Sequence, residues 1–276
     1  MRPPRFDLLT RLPGPAIEAL RVLRTMLYRA LSPAAAALDW LARRPSQAPL
    51  WLRRHAGPVR ASLGAARHAR EIIQQFELLR AGDLMLDIGC GWGSMAKELA
   101  DALGPSGRYL GLDVHAPSIV WARRHFGSDG RLDFVEARVA SPFGSRAGQP
   151  AEEFRFPLPD GAAHFVLAKS LFTHLVRTEV QAYLAEIRRV LRPGRSALLT
   201  AFLFDPAEPT PGFLFSQSPG DMRWRVGARP HAAIAYARPA FEAMITMAGL
   251  HIDHLLTAFW PGRAATPTGQ DVFIVR

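Results

Sequence analysis

From Leu84 onward short apolar runs alternate with amphipathic segments, and this alternation leaves few folds open to the chain. "LMLDI" (84–88), "RYLGLDV" (108–114), "LDFVEA" (132–137) and "HFVLA" (164–168) have the length and apolar density of strands buried on both faces. Between and after them, "MAKELADAL", "PSIVWARRHF" and "EVQAYLAEIRRVL" carry helical spacing. Thr178 with Gln181 three residues on predicts a capping box for the last of these helices. "RPG" ends that helix and "SALLTAFL" resumes a strand. Apolar strands in turn with helices predict an α/β fold of Rossmann type, a parallel sheet flanked by helices. No internal repeat is visible.

The first strand runs directly into "LDIGCGWGS", which places Gly89, Gly91 and Gly93 at alternate positions behind the acid Asp87. A strand, a glycine turn and a helix bring backbone amides to the carboxyl edge of a parallel sheet, where open α/β sheets bind ligands. In dinucleotide sites the ligand there is a pyrophosphate, which a carboxylate at the head of the loop would repel. A cationic ligand reverses the sign. S-adenosylmethionine carries an ammonium and a sulfonium and no phosphate. Asp113 ends the second strand 20 residues after Gly93, where a carboxylate accepts hydrogen bonds from both ribose hydroxyls.

"LMLDIGCGWGS" followed by "GRYLGLDVHAPSIVWA" resembles the first two motifs of the class I S-adenosylmethionine-dependent methyltransferases, and the likeness runs from about Gly64 to the C-terminus. "FRFPLPDGAAHFVLAKSLFTHL", "EIRRVLRPGRSALLTAFL", "AAIAYARPAFEAMITMAGL" and "FWPGR…GQDVFIV" are similar to a subgroup of small methyltransferases associated with natural-product and glycan modification. The resemblance implies a seven-stranded sheet whose last strand, "DVFIVR", is antiparallel. It implies that Gly89, Gly91 and Gly93 form the methionine-side loop, with Asp87 near the ammonium and Asp113 on the ribose. Cys90, Val114, Arg138 and Lys169 complete the expected cofactor set. Three positions depart from the family pattern: Arg138 where an acid often meets the adenine, Ala163-His164 where Phe-Asp is frequent, and Ser94 where the subgroup often has arginine.

Methyl transfer to an alcohol requires that the alcohol proton leave, and histidine or a carboxylate is the usual acceptor. "AKSLFTHLVRTE" follows the fourth strand, which in this fold faces the methyl group, and His174 is its only residue that titrates near neutral pH. His174 is therefore the candidate base, with a loop-organising role as the alternative. The Asn/Asp-Pro-Pro-aromatic segment of adenine methyltransferases is absent there. The connection at about 203–237 has the length and aromatic content of a lid, with Phe213, Phe215, Trp224, His231 and Tyr236 as candidate lining. Phe172, Tyr236, Trp260 and Arg263 are the expected acceptor contacts. The expected reaction is methyl transfer to a hydroxyl of a small molecule or sugar. The alternatives are an RNA or protein methyltransferase with a basic docking arm, or a cofactor-binding scaffold without activity.

The net charge of +10 is concentrated at the front. Residues 1–80 hold 14 arginines against five acids, which gives +9 and leaves +1 for the remainder. Arginine outnumbers lysine 32 to 2, a bias that GC-rich coding alone produces. Leu20, Leu23, Leu27 and Leu31 make residues 15–31 an amphipathic helix, and Ser32-Pro33 predicts the start of a second one reaching Arg44. Residues 1–65 thus read as a basic helical extension and 66–276 as the catalytic domain. The extension has four candidate contacts: its own domain, a protein partner or second copy, an anionic membrane surface, or nucleic acid, which is disfavoured. The single cysteine, Cys90, excludes an intrachain disulfide and a thiolate zinc site, and no metal is expected. With neither a signal-peptide pattern nor a membrane-length apolar run, the expected compartment is the cytoplasm.

Overall fold

The computed structural model describes residues 14–41, 48–55, 59–145, 147–207, 220–224, 231, 233–257 and 270–276. Five parallel strands form most of the sheet: β1 (Leu84–Ile88), β2 (Arg108–Asp113), β3 (Leu132–Glu136), β4 (Ala163–Ala168) and β5 (Leu191–Phe204). Two short strands, β6 (Met222–Trp224) and β7 (Ile234–Ala237), come from the connection after β5, and β8 (Ile252–Leu256) and β9 (Asp271–Val275) complete the chain. The main path runs β3-β2-β1-β4-β5-β9-β8, with β9 antiparallel to both of its neighbours. This is the expected seven-stranded sheet.

The central strands β1, β2 and β4 are buried along most of their length because both faces are covered. On β4, Phe165 and Leu167 pack toward one face and Val166 and Ala168 toward the other, each joining a separate core cluster. The first face is covered by α3 (Val59–Gln75), α4 (Ser94–Leu103) and α5 (Ala116–Phe126), the second by α6 (Arg177–Val190) and α7 (Arg238–Met247).

β5 is unusually long and changes partner along its length. Residues 197–201 pair with β9 and residues 202–204 with β7. At the branch, buried Asp271 accepts a hydrogen bond from the Leu203 amide at 3.1 Å, so the donor that loses its sheet partner is not left bare. The expected lid connection thereby extends the sheet at the carboxyl ends of the strands.

Several local expectations are corrected. Residues 14–41 form one continuous helix, α1, with Pro33 inside it rather than two helices separated at Ser32. The Ser32 hydroxyl donates to the Tyr28 carbonyl at 2.7 Å, a back-bond that helps the helix pass the proline. The expected boundary at 65/66 falls inside α3. Helix α6 is not capped by Thr178 and Gln181. Glu179 accepts from the Val176 amide at 2.8 Å, and Thr178 instead bonds Glu152. A further helix, α2 (Leu50–His55), packs Leu52 with Ala48 against Trp92, so the front of the chain reaches the glycine loop.

The departure at Ala163-His164 is absorbed locally. His164 Nδ1 accepts from the Leu84 amide at 3.1 Å, tying the start of β4 to the start of β1. Arg195 donates through Nε to the His164 carbonyl at 2.9 Å and forms an ion pair with Asp83, which is 6% exposed.

Candidate active site

A cavity of about 270 Å³ opens at the carboxyl ends of β1, β2 and β4. Its walls include Asp87, Gly89, Cys90, Gly91, Asp113, Val114, Lys169 and His174, so most of the residues singled out in the sequence meet in one place. Gly89 and Gly91 take left-handed conformations, φ +81° and +56°, that side chains disfavour. Gly93, also left-handed, does not line the cavity. A Cβ there would lie 2.8 Å from Phe126 and 3.0 Å from buried Phe134, so packing of α4 on those rings dictates this glycine.

The hydrogen bonding of the glycines bears on which ligands suit the loop. The amides of Gly89 and Cys90 both donate to the Leu112 carbonyl, at 2.8 and 3.0 Å. The Gly91 amide donates to Asp113 Oδ2 at 2.7 Å, and the Gly93 amide to the Cys90 carbonyl at 3.0 Å. None of the four is left to receive a phosphate, and two carboxylates stand in the wall. Asp113 Oδ1 also accepts from the His115 amide at 2.8 Å. A third amide, that of Val114, also bonds this carboxylate. Burial is the main cause that raises its pKa, opposed by these amides.

Asp87 is 2% exposed and accepts a hydrogen bond from the Tyr109 hydroxyl at 2.6 Å. The reach is made possible by Gly111. Gly111 pairs with Asp87 across the sheet, and a Cβ on it would lie 3.0 Å from the Tyr109 ring and 2.8 Å from Cys90 Sγ. The tyrosine lies over that bare position to meet the acid. Burial raises the Asp87 pKa to about 6, with the tyrosine bond and the Lys169 charge opposing. Lys169 is held below the usual lysine range by burial, against the pull of Asp87.

At the other end of the cavity, His174 Nδ1 lies 2.8 Å from the His231 carbonyl oxygen. A carbonyl only accepts, so Nδ1 carries the proton and Nε2 has the free lone pair. Burial lowers the pKa of the imidazole, with the His231 carbonyl opposing, and keeps it neutral at neutral pH. Phe143 lies against its ring at 4.8 Å between centroids, and Glu179, Tyr183 and Phe154 share the wall.

Other expected contacts lie elsewhere. The Arg138 side chain is exposed and does not line the cavity, although its neighbours Ala137 and Val139 do. Phe172 is fully buried, packing edge-on against Phe241 at 5.6 Å. Tyr236 is also core, and its hydroxyl donates to the Leu175 carbonyl at 2.7 Å. Neither is an acceptor contact; Tyr236 instead fastens β7 to the loop that carries His174. Trp224 is half-buried on β6 away from the cavity, whereas His231 lines it. Phe213, Phe215, Trp260 and Arg263 lie outside the described residues. Tyr109, Glu179 and Tyr183 were missed by the sequence reading. Only Tyr109 left a trace there, as a tyrosine two residues before a glycine on the strand that pairs with Asp87.

The strand order, the reversed β9 and the glycine loop between two acids define a Rossmann-like fold suited to a cationic nucleoside. Residues 85–194 match the family model described as "Methyltransferase domain". A protein of Streptomyces fradiae, "Uncharacterized 37.1 kDa protein in transposon TN4556", is 34% identical over 134 residues, 49% of this chain and 34% of that one. The "Ubiquinone/menaquinone biosynthesis C-methyltransferase UbiE" of Hahella chejuensis is 28% identical over 127 residues, 45% of each chain. The chain thus spans less than half the length of either relative. The fold is shared with a solved SAM-dependent methyltransferase of Aquifex aeolicus, at a TM-score of 0.53 and 16% identity over 81% of this chain and 95% of that one. Residues 85–194 thus match a methyltransferase domain, set in a fold shared with SAM-dependent methyltransferases.

Proposed function

We propose that the chain transfers a methyl group from S-adenosylmethionine to a hydroxyl of a small molecule or sugar, with His174 taking the proton. The observation that carries this reading is the tautomer of His174: the His231 carbonyl fixes the proton on Nδ1, and a neutral imidazole with its lone pair on Nε2 stands in the cavity wall. Asp113 receives the ribose hydroxyls, Gly89 and Gly91 allow close approach of the methionine portion, and Asp87 faces its ammonium. The site supplies, with the cofactor bound, a methyl group already activated by the sulfonium charge. The residues of the chain then have to align the acceptor, exclude water and accept one proton.

Phe143, Phe154, Leu171 and Leu175 give the acceptor end an apolar wall, and Glu179 and Tyr183 add polar groups that suit a hydroxylated ring. The test adds purified protein and cofactor to a cell extract and follows metabolites by mass spectrometry. The reading expects a compound that gains about 14 Da, the replacement of hydrogen by methyl, with the new group on oxygen and no gain with His174→Ala. Methyl groups found on carbon, on nitrogen or in RNA would overturn the hydroxyl assignment.

A further inference from the structure

Of the eleven large apolar side chains exposed among the described residues, nine belong to α1. Such clustering sets α1 apart from ordinary surface, where single exposed leucines are common. Leu20, Leu23, Leu27, Leu31, Leu38 and Leu41 lie along one side of the helix, each at least 43% exposed. The helix meets the rest of the chain with its other side. Tyr28, Ser32, Ala35 and Asp39, spaced by four, three and four residues, are its half-buried positions beyond Ala16. Asp39 pairs with Arg53 at 2.9 Å, and the Arg29 guanidinium lies 4.8 Å from the Trp51 ring centre. The more polar stripe therefore faces inward and the leucines face out.

Charge selects what covers them. Residues 1–80 carry +9, with Arg24 bordering the stripe inside α1 and Arg2, Arg5 and Arg11 ahead of it in the sequence. Two copies meeting along this stripe would bring those cations together, whereas an anionic bilayer is complementary to them. Arg24 falls between Leu20 and Leu27 at the edge of the stripe, where a guanidinium reaches headgroup phosphates while the leucines enter the acyl boundary. No helix among the described residues is long and apolar enough to cross a membrane, so α1 would lie in the plane of the surface.

We propose that α1 is an in-plane anchor that seats this chain on an anionic membrane surface through its outward leucine stripe. The proposal rests on α1 alone and is independent of the acceptor and of His174. Its test is flotation of the full chain with vesicles of phosphatidylcholine, and with vesicles in which about one-third of the lipid is phosphatidylglycerol. The chain is expected to float with the anionic vesicles and at least about tenfold less with the neutral ones. The variant Leu23→Gln/Leu27→Gln/Leu38→Gln, changed only at exposed positions, is expected to stay behind with an unaltered circular dichroism spectrum. Failure of the wild type to float with either vesicle would overturn the proposal. So would a wild-type dimer in sedimentation that the triple variant dissolves, which would assign the stripe to a second copy. Anionic binding that the triple variant retains would also overturn it, because the arginines alone would then account for it.

Discussion

His174 and His231, 57 residues apart, exchange a matched pair of hydrogen bonds: the Nδ1 of each lies 2.8 Å from the backbone oxygen of the other. The pair joins the loop after β4 to the connection after β5, and the Ile234 amide, bonded to the Thr173 carbonyl at 2.7 Å, reinforces it. The same contact that positions the His174 ring also fixes its tautomer. The described part of that connection, at His231 and Ile234, therefore helps to mount the candidate base.

Replacing His174 by alanine is expected to leave cofactor affinity within about threefold, measured by calorimetry, and to lower turnover by about 10²–10⁴. Because burial lowers the His174 pKa, the fall in rate on acidification is expected at a lower pH than an ordinary histidine would give. An unchanged rate in the variant would reduce His174 to a structural role.

Asp113→Ala removes the acceptor of the Gly91, His115 and Val114 amides and the group proposed to hold the ribose. Cofactor affinity is expected to fall by more than about a hundredfold, since two charge-assisted hydrogen bonds are lost. Calorimetry at wild-type tightness would remove the ribose assignment.

The Asp87 pKa, raised from 3.8 to about 6, makes two opposite demands. A cationic tail binds the ionised acid, so affinity for S-adenosylmethionine should weaken as pH falls below about 6, by up to about tenfold per unit. For stability the sign is reversed. A carboxyl whose folded pKa is raised stabilises the fold below its unfolded value, and that contribution is lost as pH rises through the folded one. Asp87→Asn, which still accepts from Tyr109, should therefore raise stability at pH 7, by at most about 3 kcal/mol, while weakening cofactor binding. Thermal unfolding and calorimetry on the same variant read both effects.

Asp83→Ala leaves Arg195 and the Arg80 amide without their carboxylate in a nearly buried setting. A loss of about 3 kcal/mol in denaturant unfolding is expected, with cofactor affinity unchanged, because the pair lies at the opposite ends of the strands from the cavity.

Much of this molecule was legible because the relevant physics is local. Apolar strands in turn with helices dictate a covered parallel sheet, and the antiparallel β9 followed from family likeness rather than from its own residues. The acid before the glycines excluded a phosphate ligand on charge alone, before the amides were known to be occupied. Ser32-Pro33 misled because an N-terminal helix signal and a proline tolerated inside a helix look the same in one dimension. Phe172 and Tyr236 misled because an aromatic residue near a site has no local mark that separates wall from core.

The order of residues along the chain set the periodicities, the charge at the loop and the basic front end, since each depends only on neighbours a few positions away. Folding determined that Tyr109 would cross the bare face of Gly111 to reach Asp87, and that His231 would fix the proton of His174. It also turned the leucines of α1 outward. These outcomes depend on which surfaces meet across distant segments, and spacing along a chain carries no information about that meeting.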